Sequence, residues 1–337
     1  MAQKWKKRPE GSNWGEFGPD DQLGRLNYLT DDNTLLAARE IKVGKRFCLS
    51  LPLDVPATNA TNPRRFPPTF QPVVRGDKVL FNQPIGEFDP GNTGVVSDDA
   101  VLIHNQHSSQ WDSFAHMGAL FDADDDGVAE RIQYNGHSVY DAEGRARFGE
   151  LGAWNLGIEH MATHCVQGRG VLINLRQHYG FQSHAVSYDD LMRVLDTDKV
   201  TVEKGDIVCV YTGYADKLIE LGADVHEDLP RTHCPAFDGR DERLLQWITD
   251  SGLSVLICDN RAVEFEHGPM PEGAVGPGLA LHEHCLFKLG IHLGEMWYLT
   301  EIAEWLKANG RYRFFLSAPP LHLPGAVGSP ANPIGTV

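Results

Sequence analysis

At 337 residues the chain exceeds the usual single-domain length, yet no Pro/Ser-rich linker divides it, so one domain over 1–337 with a loop-rich region over about 1–100 is expected. With 42% apolar residues there is ample core material, while the formal charge of -16 argues against nucleic-acid or anionic membrane partners, which need clustered Lys and Arg. No apolar run approaches the roughly 20 residues that cross a bilayer, and the N-terminus lacks a signal peptide's apolar stretch, so a cytoplasmic location is expected.

In chain order, the basic start KWKKR (Lys4 to Arg8) reads as a solvated tail. From Pro52 through Gly94 the chain is rich in Pro and Gly, which predicts long loops with short strands. Such loops often cover substrates or form subunit contacts, with Arg64, Arg65, Phe66 and Phe70 as candidates to line a lid, although an ordinary surface loop is the first expectation. Short β-rich runs recur: KVLFN at Lys78, AVLIH at Ala100, GVLINL at Gly170, DIVCVYTG at Asp206, SVLICD at Ser254 and FFLSA at Phe314. Helical patterns SYDDLMRVL, DERLLQWITDSG and LTEIAEWLKANG separate the later runs, the last with Thr300 as N-cap and Gly310 as stop. Strands alternating with helices predict an α/β architecture. The six cysteines (Cys48, Cys165, Cys209, Cys234, Cys258 and Cys285) are scattered, without close CxxC pairs, and read as reduced, buried thiols; Cys234 alone lies in a polar loop.

The stretch with most chemistry is Gln106 to His116, QHSSQWDSFAH. Gln106, Ser108, Gln110, Asp112 and His116 share even parity, so an extended segment projects them to one face and turns His107 away. A carboxylate set among Trp111, Phe114 and Met117 is costly unless a cation or several donors meet it, which marks Asp112 as a ligand or catalytic group. A second acidic run, FDADDDGVAERIQ from Phe121, opens like a calcium loop, but its twelfth position is Gln133 and no helix precedes it; a solvated loop is expected. There is no GxSxG elbow, Walker loop or strand-bound GxGxxG. PGAVGSP, from Pro324 to Pro330, has no lysine and no following helix, and reads as backbone placed near the site or as a turn.

The eleven-residue frame resembles HxGTHxDxPxH, the signature of the cyclase, or kynurenine formamidase-like, family of metal-dependent hydrolases. Asp112 and His116 match it; Gln106 and Gln110 stand where shorter members carry histidine ligands, and Ser108, Ser109 and Phe114 replace the glycine, threonine and proline. The QxxxQWD form resembles a longer branch of the family, as do NWGEFGPDDQLGRLNYLT (Asn13 to Thr30), GRGVLINL near Val171, GDIVCVYTGY (Gly205 to Tyr214), LHEHCLFKLGIHLGEMWYL (Leu281 to Leu299) and PGAVGSPANP. The resemblance implies a mixed sheet with swivelling β/β/α topology. It further implies His282 and Glu295 beside the aspartate, with His284 as a competitor, and dimers or tetramers as the assembly.

Together these readings predict a metal-dependent hydrolase of a C–N amide, cyclic amide or lactone bond in a small molecule. Gln106, Gln110, Asp112, His282 and Glu295 hold the ion, and His116 acts as general acid/base, a role suited to an imidazole at neutral pH. The oxygen-rich ligand set favours Mn²⁺, with Zn²⁺ or Mg²⁺ as alternatives. Trp14, Phe66, Phe70, Trp111 and Trp297 are available as a pocket wall for an aromatic substrate. Two rival readings are a metal-assisted lyase, dehydratase or ring-closing enzyme, and a silent small-molecule binding protein, the latter suggested by the Gln-for-His exchanges.

Overall fold

Residues 171–173, 207–211 and 255–258 are continuous apolar runs with β-branched residues, the pattern of strands buried on both faces. In the computed structural model, which describes residues 4–270 and 272–337, they form the centre of a nine-stranded mixed sheet. Its strands are β1 (Arg46–Cys48), β2 (Gln110–Asp112), β3 (Gln167–Asn174), β4 (Ile207–Tyr211), β5 (Val255–Cys258), β6 (His292–Glu295), β7 (Arg313–Ser317), β8 (Gly328–Pro330) and β9 (Ile334–Thr336). The spatial order is β1-β9-β7-β3-β4-β5-β6-β2-β8. Strands β3 to β6 run parallel, and every other pairing is antiparallel.

Period-two alternation sorts the core into two layers. Val171, Ile173, Val208, Val210, Leu256, Cys258 and Leu293 face one side, and Leu172, Ile207, Cys209, Val255 and Ile257 face the other. On the first side pack α2 (Tyr188–Asp198) and α4 (Glu242–Ser251), through Leu191, Val194, Leu244 and Ile248. On the second packs α5 (Thr300–Ala308), through Ile302, Ala303 and Leu306. Two further helices, of eight residues each, are α1 (Asp31–Ala38) and α3 (Tyr214–Leu221). Helix α2 begins with a reciprocal capping box between Ser187 and Asp190, and α4 with Asp241 accepting from the backbone of Arg243 and Leu244. None of the described helices is long and apolar enough to cross a membrane.

The sheet must curl. Strands β8 and β9 are seven strand spacings apart, about 34 Å if flat, yet only residues 331–333 join them, and so short a link spans about 14 Å at most. The two sheet edges therefore come together, and the link is fastened to both: Ala331 N donates to Ser109 O (2.8 Å), and Leu49 N to Pro333 O (2.9 Å).

Several sequence expectations change here. Thr300 does not cap α5; Leu299 holds the cap position, and the Thr300 hydroxyl donates to Asp216 instead. KWKKR is not a solvated tail, because Trp5 is buried edge-on against Trp14 (5.6 Å between centroids) and Lys4 pairs with Asp20 at 3.0 Å. Cys48 and Cys165 are exposed, whereas Cys234 is buried, and burial pushes its thiol pKa up; all six thiols are free. KVLFN and AVLIH do not join the sheet. They contribute to two-stranded ribbons between Thr69 and Leu102, built from strands exposed along nearly their whole length.

Candidate metal centre and active site

Strands β2 and β6 pair antiparallel with Gln110 opposite Glu295 and Asp112 opposite Leu293. Since directly paired residues point to the same face, Gln110, Asp112 and Glu295 all project into the first core layer, and all three are almost completely buried. Trp111, between them, points the other way, where its ring meets Trp297 edge-on at 5.0 Å. His282 is carried above this face by a helical turn, Ala280–His282, that continues as the π-helical turn Glu283–Leu289.

Donor atoms of Asp112, His282 and Glu295 lie within 4.8 Å of one another. Gln110 Nε2 donates to Glu295 Oε2 (2.9 Å) and reaches Asp112 Oδ1 at 3.5 Å; His282 Nε2 faces Glu295 Oε1 at 3.1 Å. On its other side His282 is held by Glu264, whose Oε1 accepts from both the His282 backbone N–H (3.0 Å) and Nδ1 (2.9 Å), while Oε2 accepts from Leu281 N (3.1 Å). Gly239 leaves room for that carboxylate, because a Cβ there collides with it.

Burial pushes the Glu295 carboxyl above its ordinary pKa, and the neighbouring charge of Asp112 adds to the rise. Burial by itself pulls the His282 imidazole down, but the hydrogen bonds to Glu264 and Glu295 outweigh it and raise its pKa to about 10. Within this cluster two buried side-chain oxygens have no hydrogen-bond partner, Asp112 Oδ2 and Gln110 Oε1. Two buried carboxylates, an imidazole and orphaned oxygens converging on one point form the donor set that a divalent cation satisfies. The residues present therefore fit a metal ion, and the Glu264–His282 contact is the outer carboxylate such a ligand takes.

His116 completes the site. Its side chain is 25% exposed, against 0% for Asp112, so it stands on the solvent side, with Nε2 3.9 Å from Asp112 Oδ2. Gln106 Nε2 lies 3.3 Å from His116 Nδ1 and makes no hydrogen bond to Asp112, His282 or Glu295. Gln106 thus reaches the cluster by way of His116. Gly328 of β8 makes this possible, since a Cβ there meets Gln106 Nε2 at 2.5 Å and Trp111 O at 2.8 Å. The expected placing of PGAVGSP beside the site thus matches the register, Gly328 pairing with Asp112.

The expectation of one extended row from Gln106 to His116 is corrected, because only Gln110–Asp112 is a strand. Turns flank it (His107 N to His104 O, His116 N to Ser113 O), and these turns bring Gln106 and His116 together. Ser108, expected on the site face, bonds the carbonyls of Pro52 and Val55 instead; His107 faces away as expected, toward Pro56 O. His284 pairs with Thr249 on another side of its turn. Trp14, Trp111 and Trp297 are almost completely buried in core, whereas Phe66 and Phe70 are exposed. The acidic loop is closed by its own backbone, with Asp126 N and Gly127 N donating to the Asp122 carboxylate.

Two supporting residues were not singled out by the sequence. Glu264 lies in a loop after β5, and only its reach to His282 reveals it. His292, on β6, stacks on Phe114 (3.9 Å) and sets Nδ1 3.0 Å from Asp112 O; burial lowers its pKa to about 3, so the ring is neutral and donates to that carbonyl.

The Cyclase family model matches residues 48–265, more than half of the chain. The chain belongs to the cyclase family. A crystal structure described as a novel cyclase is 29% identical to this cyclase-family chain, covering 97% of it and 99% of its own length with a TM-score of 0.74. Isatin hydrolase A from Ralstonia solanacearum is 12% identical (89% and 93% covered, TM-score 0.55). An isatin hydrolase bound to the product analogue thioisatinate is 10% identical (92% and 98% covered, TM-score 0.54). The isatin hydrolases share the fold of this cyclase-family member. No curated protein matches it.

Proposed function

We propose that the protein is a metal-dependent hydrolase that cleaves a C–N amide, cyclic amide or lactone bond of a small molecule. The observation carrying this reading is the convergence of Asp112, His282 and Glu295, with Asp112 Oδ2 unpartnered and His116 on the solvent side of the cluster. Asp112, His282 and Glu295 would hold the cation, with Gln110 Oε1 as a further donor and Gln106 supporting His116; manganese is the first choice, with zinc or magnesium as alternatives. When bound, such an ion polarises a carbonyl and lowers the pKa of water.

The chain's own residues supply the rest. Glu264 fixes the ring of His282, and Gln110 fixes the carboxylate of Glu295. His116 is the proton carrier, because its Nε2 is directed at the cluster while its edge remains open to substrate. His292 and the β6 and β8 pairings hold the strand that presents Asp112.

The isatin hydrolases with this fold make cyclic amides the first compounds to assay, followed by N-formyl anilines and lactones. The decisive experiment combines metal analysis of the purified protein with hydrolysis in ¹⁸O-labelled water. A stoichiometric divalent ion and label in the product acid support the reading. Full activity in exhaustively chelated protein, or in Asp112→Ala, refutes it.

A further inference from the structure

The stretch that begins at Asn13 lines a cavity of its own. Asn13 Nδ2 donates to Leu289 O (2.9 Å) and Trp14 Nε1 to Phe287 O (2.8 Å), which fastens its start to the π-helical turn. Arg25 reaches the C-terminal end of α4, where Nη1 donates to Ile248 O (2.9 Å) and Leu253 O (3.3 Å) and Nη2 to Thr249 O (2.8 Å). Asn13, Arg25, Thr249 and Leu289 border an open cleft of about 760 Å³, to which Asp112, His116, His282 and Glu295 do not contribute.

The lining is built for negative charge. Lys6, Arg8 and Arg25 stand against one carboxylate, Glu16, in a chain whose formal charge is -16. Glu16 is taken by the Tyr28 hydroxyl at 2.6 Å. The neighbouring Lys4 and Lys7 pair with Asp20 and Asp125, but Lys6, Arg8 and Arg25 have no ion-pair partner among the described residues. Arg25 is the central group, because it is only 4% exposed and a buried guanidinium without a counter-ion is costly. The carbonyls at the end of α4 satisfy Nη1 and Nη2 and offset part of the charge, yet Nε has no acceptor. Ser12 Oγ and Asn13 Oδ1, in the same lining, are also buried without a partner. Three orphaned polar atoms around one cleft call for a polar group from outside the chain.

We infer that this cleft binds a phosphate group, as the free ion or as a monoester of a small molecule, with Arg25 Nε and Ser12 Oγ donating to its oxygens. The orphaned atoms favour phosphate over carboxylate. Arg25 Nε needs an acceptor and Asn13 Oδ1 needs a donor; a phosphate that is partly protonated near neutral pH offers both, whereas a carboxylate only accepts. Its charge of about -1.5 to -2 also answers the excess of cations supplied by Lys6 and Arg8. The site stands apart from the hydrolase reading, since the two share no residue.

The test is titration calorimetry of the full chain with inorganic phosphate and with phenyl phosphate at constant ionic strength, for the wild type, Arg25→Gln, the double variant Arg8→Gln/Ser12→Ala, and Asp112→Ala. Wild type and Asp112→Ala should bind one phosphate per chain with equal affinity, and both cleft variants should weaken it by about tenfold or more. Tighter binding of phenyl phosphate assigns the site to a monoester, and equal or weaker binding assigns it to the free ion. Arg25→Gln loses bonds to α4 and is checked by its melting temperature; the double variant removes none of those bonds and remains decisive if Arg25→Gln fails to fold. No saturable binding by the wild type, wild-type affinity in the double variant, or binding lost in Asp112→Ala but kept in the cleft variants overturns the site.

Discussion

Glu264 grips His282 at two points with a single oxygen, Oε1, accepting from the backbone N–H at 3.0 Å and from Nδ1 at 2.9 Å. The ring can then turn neither about its axis nor away from the strands, and Nε2 is left aimed at Glu295. For a metal ligand this is the contact that sets tautomer and direction. In Glu264→Gln the amide brings a donor where two acceptors are needed, so metal affinity should fall by about 10–100-fold. Competition with a chromogenic chelator measures it; an unchanged affinity removes Glu264 from the site.

In the metal-free protein both nitrogens of His282 face carboxylates, and its pKa is raised to about 10 from the ordinary value near 6.5. A raised folded-state pKa stabilises the fold fully below the unfolded value and loses that contribution as pH rises through about 10. A cation taking Nε2 must displace that proton. Binding should therefore release about one proton per ion at neutral pH and tighten as pH rises from 6 to 8. Calorimetry in buffers of different ionisation enthalpy reads the proton directly, and a buffer-independent heat contradicts the assignment.

Asp112 carries a buried oxygen without a partner and raises the pKa of Glu295 by its charge, so it burdens the metal-free fold. Asp112→Asn should leave the melting temperature of metal-free protein unchanged or higher. The same change should abolish the stabilisation by metal, which at a hundredfold excess over Kd is about 2.7 kcal/mol for the wild type. Thermal melts with and without Mn²⁺ separate the two effects. A wild-type-sized metal shift in the variant would falsify the ligand role.

Gly328 touches the site only by lacking a side chain. Because one of the atoms its Cβ meets is backbone, Trp111 O, the crowding cannot be relieved by a rotamer change alone. Gly328→Ala should cost about 1–3 kcal/mol and pull Gln106 off His116. Denaturant unfolding gives the first quantity. Turnover, read once a substrate is known, should fall with the loss of the amide from Nδ1.

How far the sequence could be read follows from the range of the forces involved. The central strands were visible because burial on both faces leaves continuous apolar runs, and α2 and α4 because their helical patterns are local. Gln110 and Asp112 were placed correctly on one face by alternation, a rule that also sends Trp111 to the opposite face and so removes it from the pocket. Gln106 and His116 shared that parity by coincidence; turns, which alternation does not describe, bring them together. His282 and Glu295 could be paired only through resemblance, because they stand thirteen positions apart with a π-helical turn between them. Glu264 had no signature at all, since a loop carboxylate becomes meaningful only when a distant histidine arrives beside it. The ribbons between Thr69 and Leu102 read as strands for the right local reason, yet nothing local says that they stay outside the sheet.

The short link between β8 and β9 makes the order of synthesis matter. Residues 328–336 bolt one rim of the curled sheet to the other, and β8 is also the neighbour that covers the outer side of the aspartate strand. A nascent chain halted before Gly328 holds every acidic group of the cluster but not the buckle that fixes their spacing, so competence to capture an ion should arrive abruptly with those nine residues rather than gradually as the chain grows.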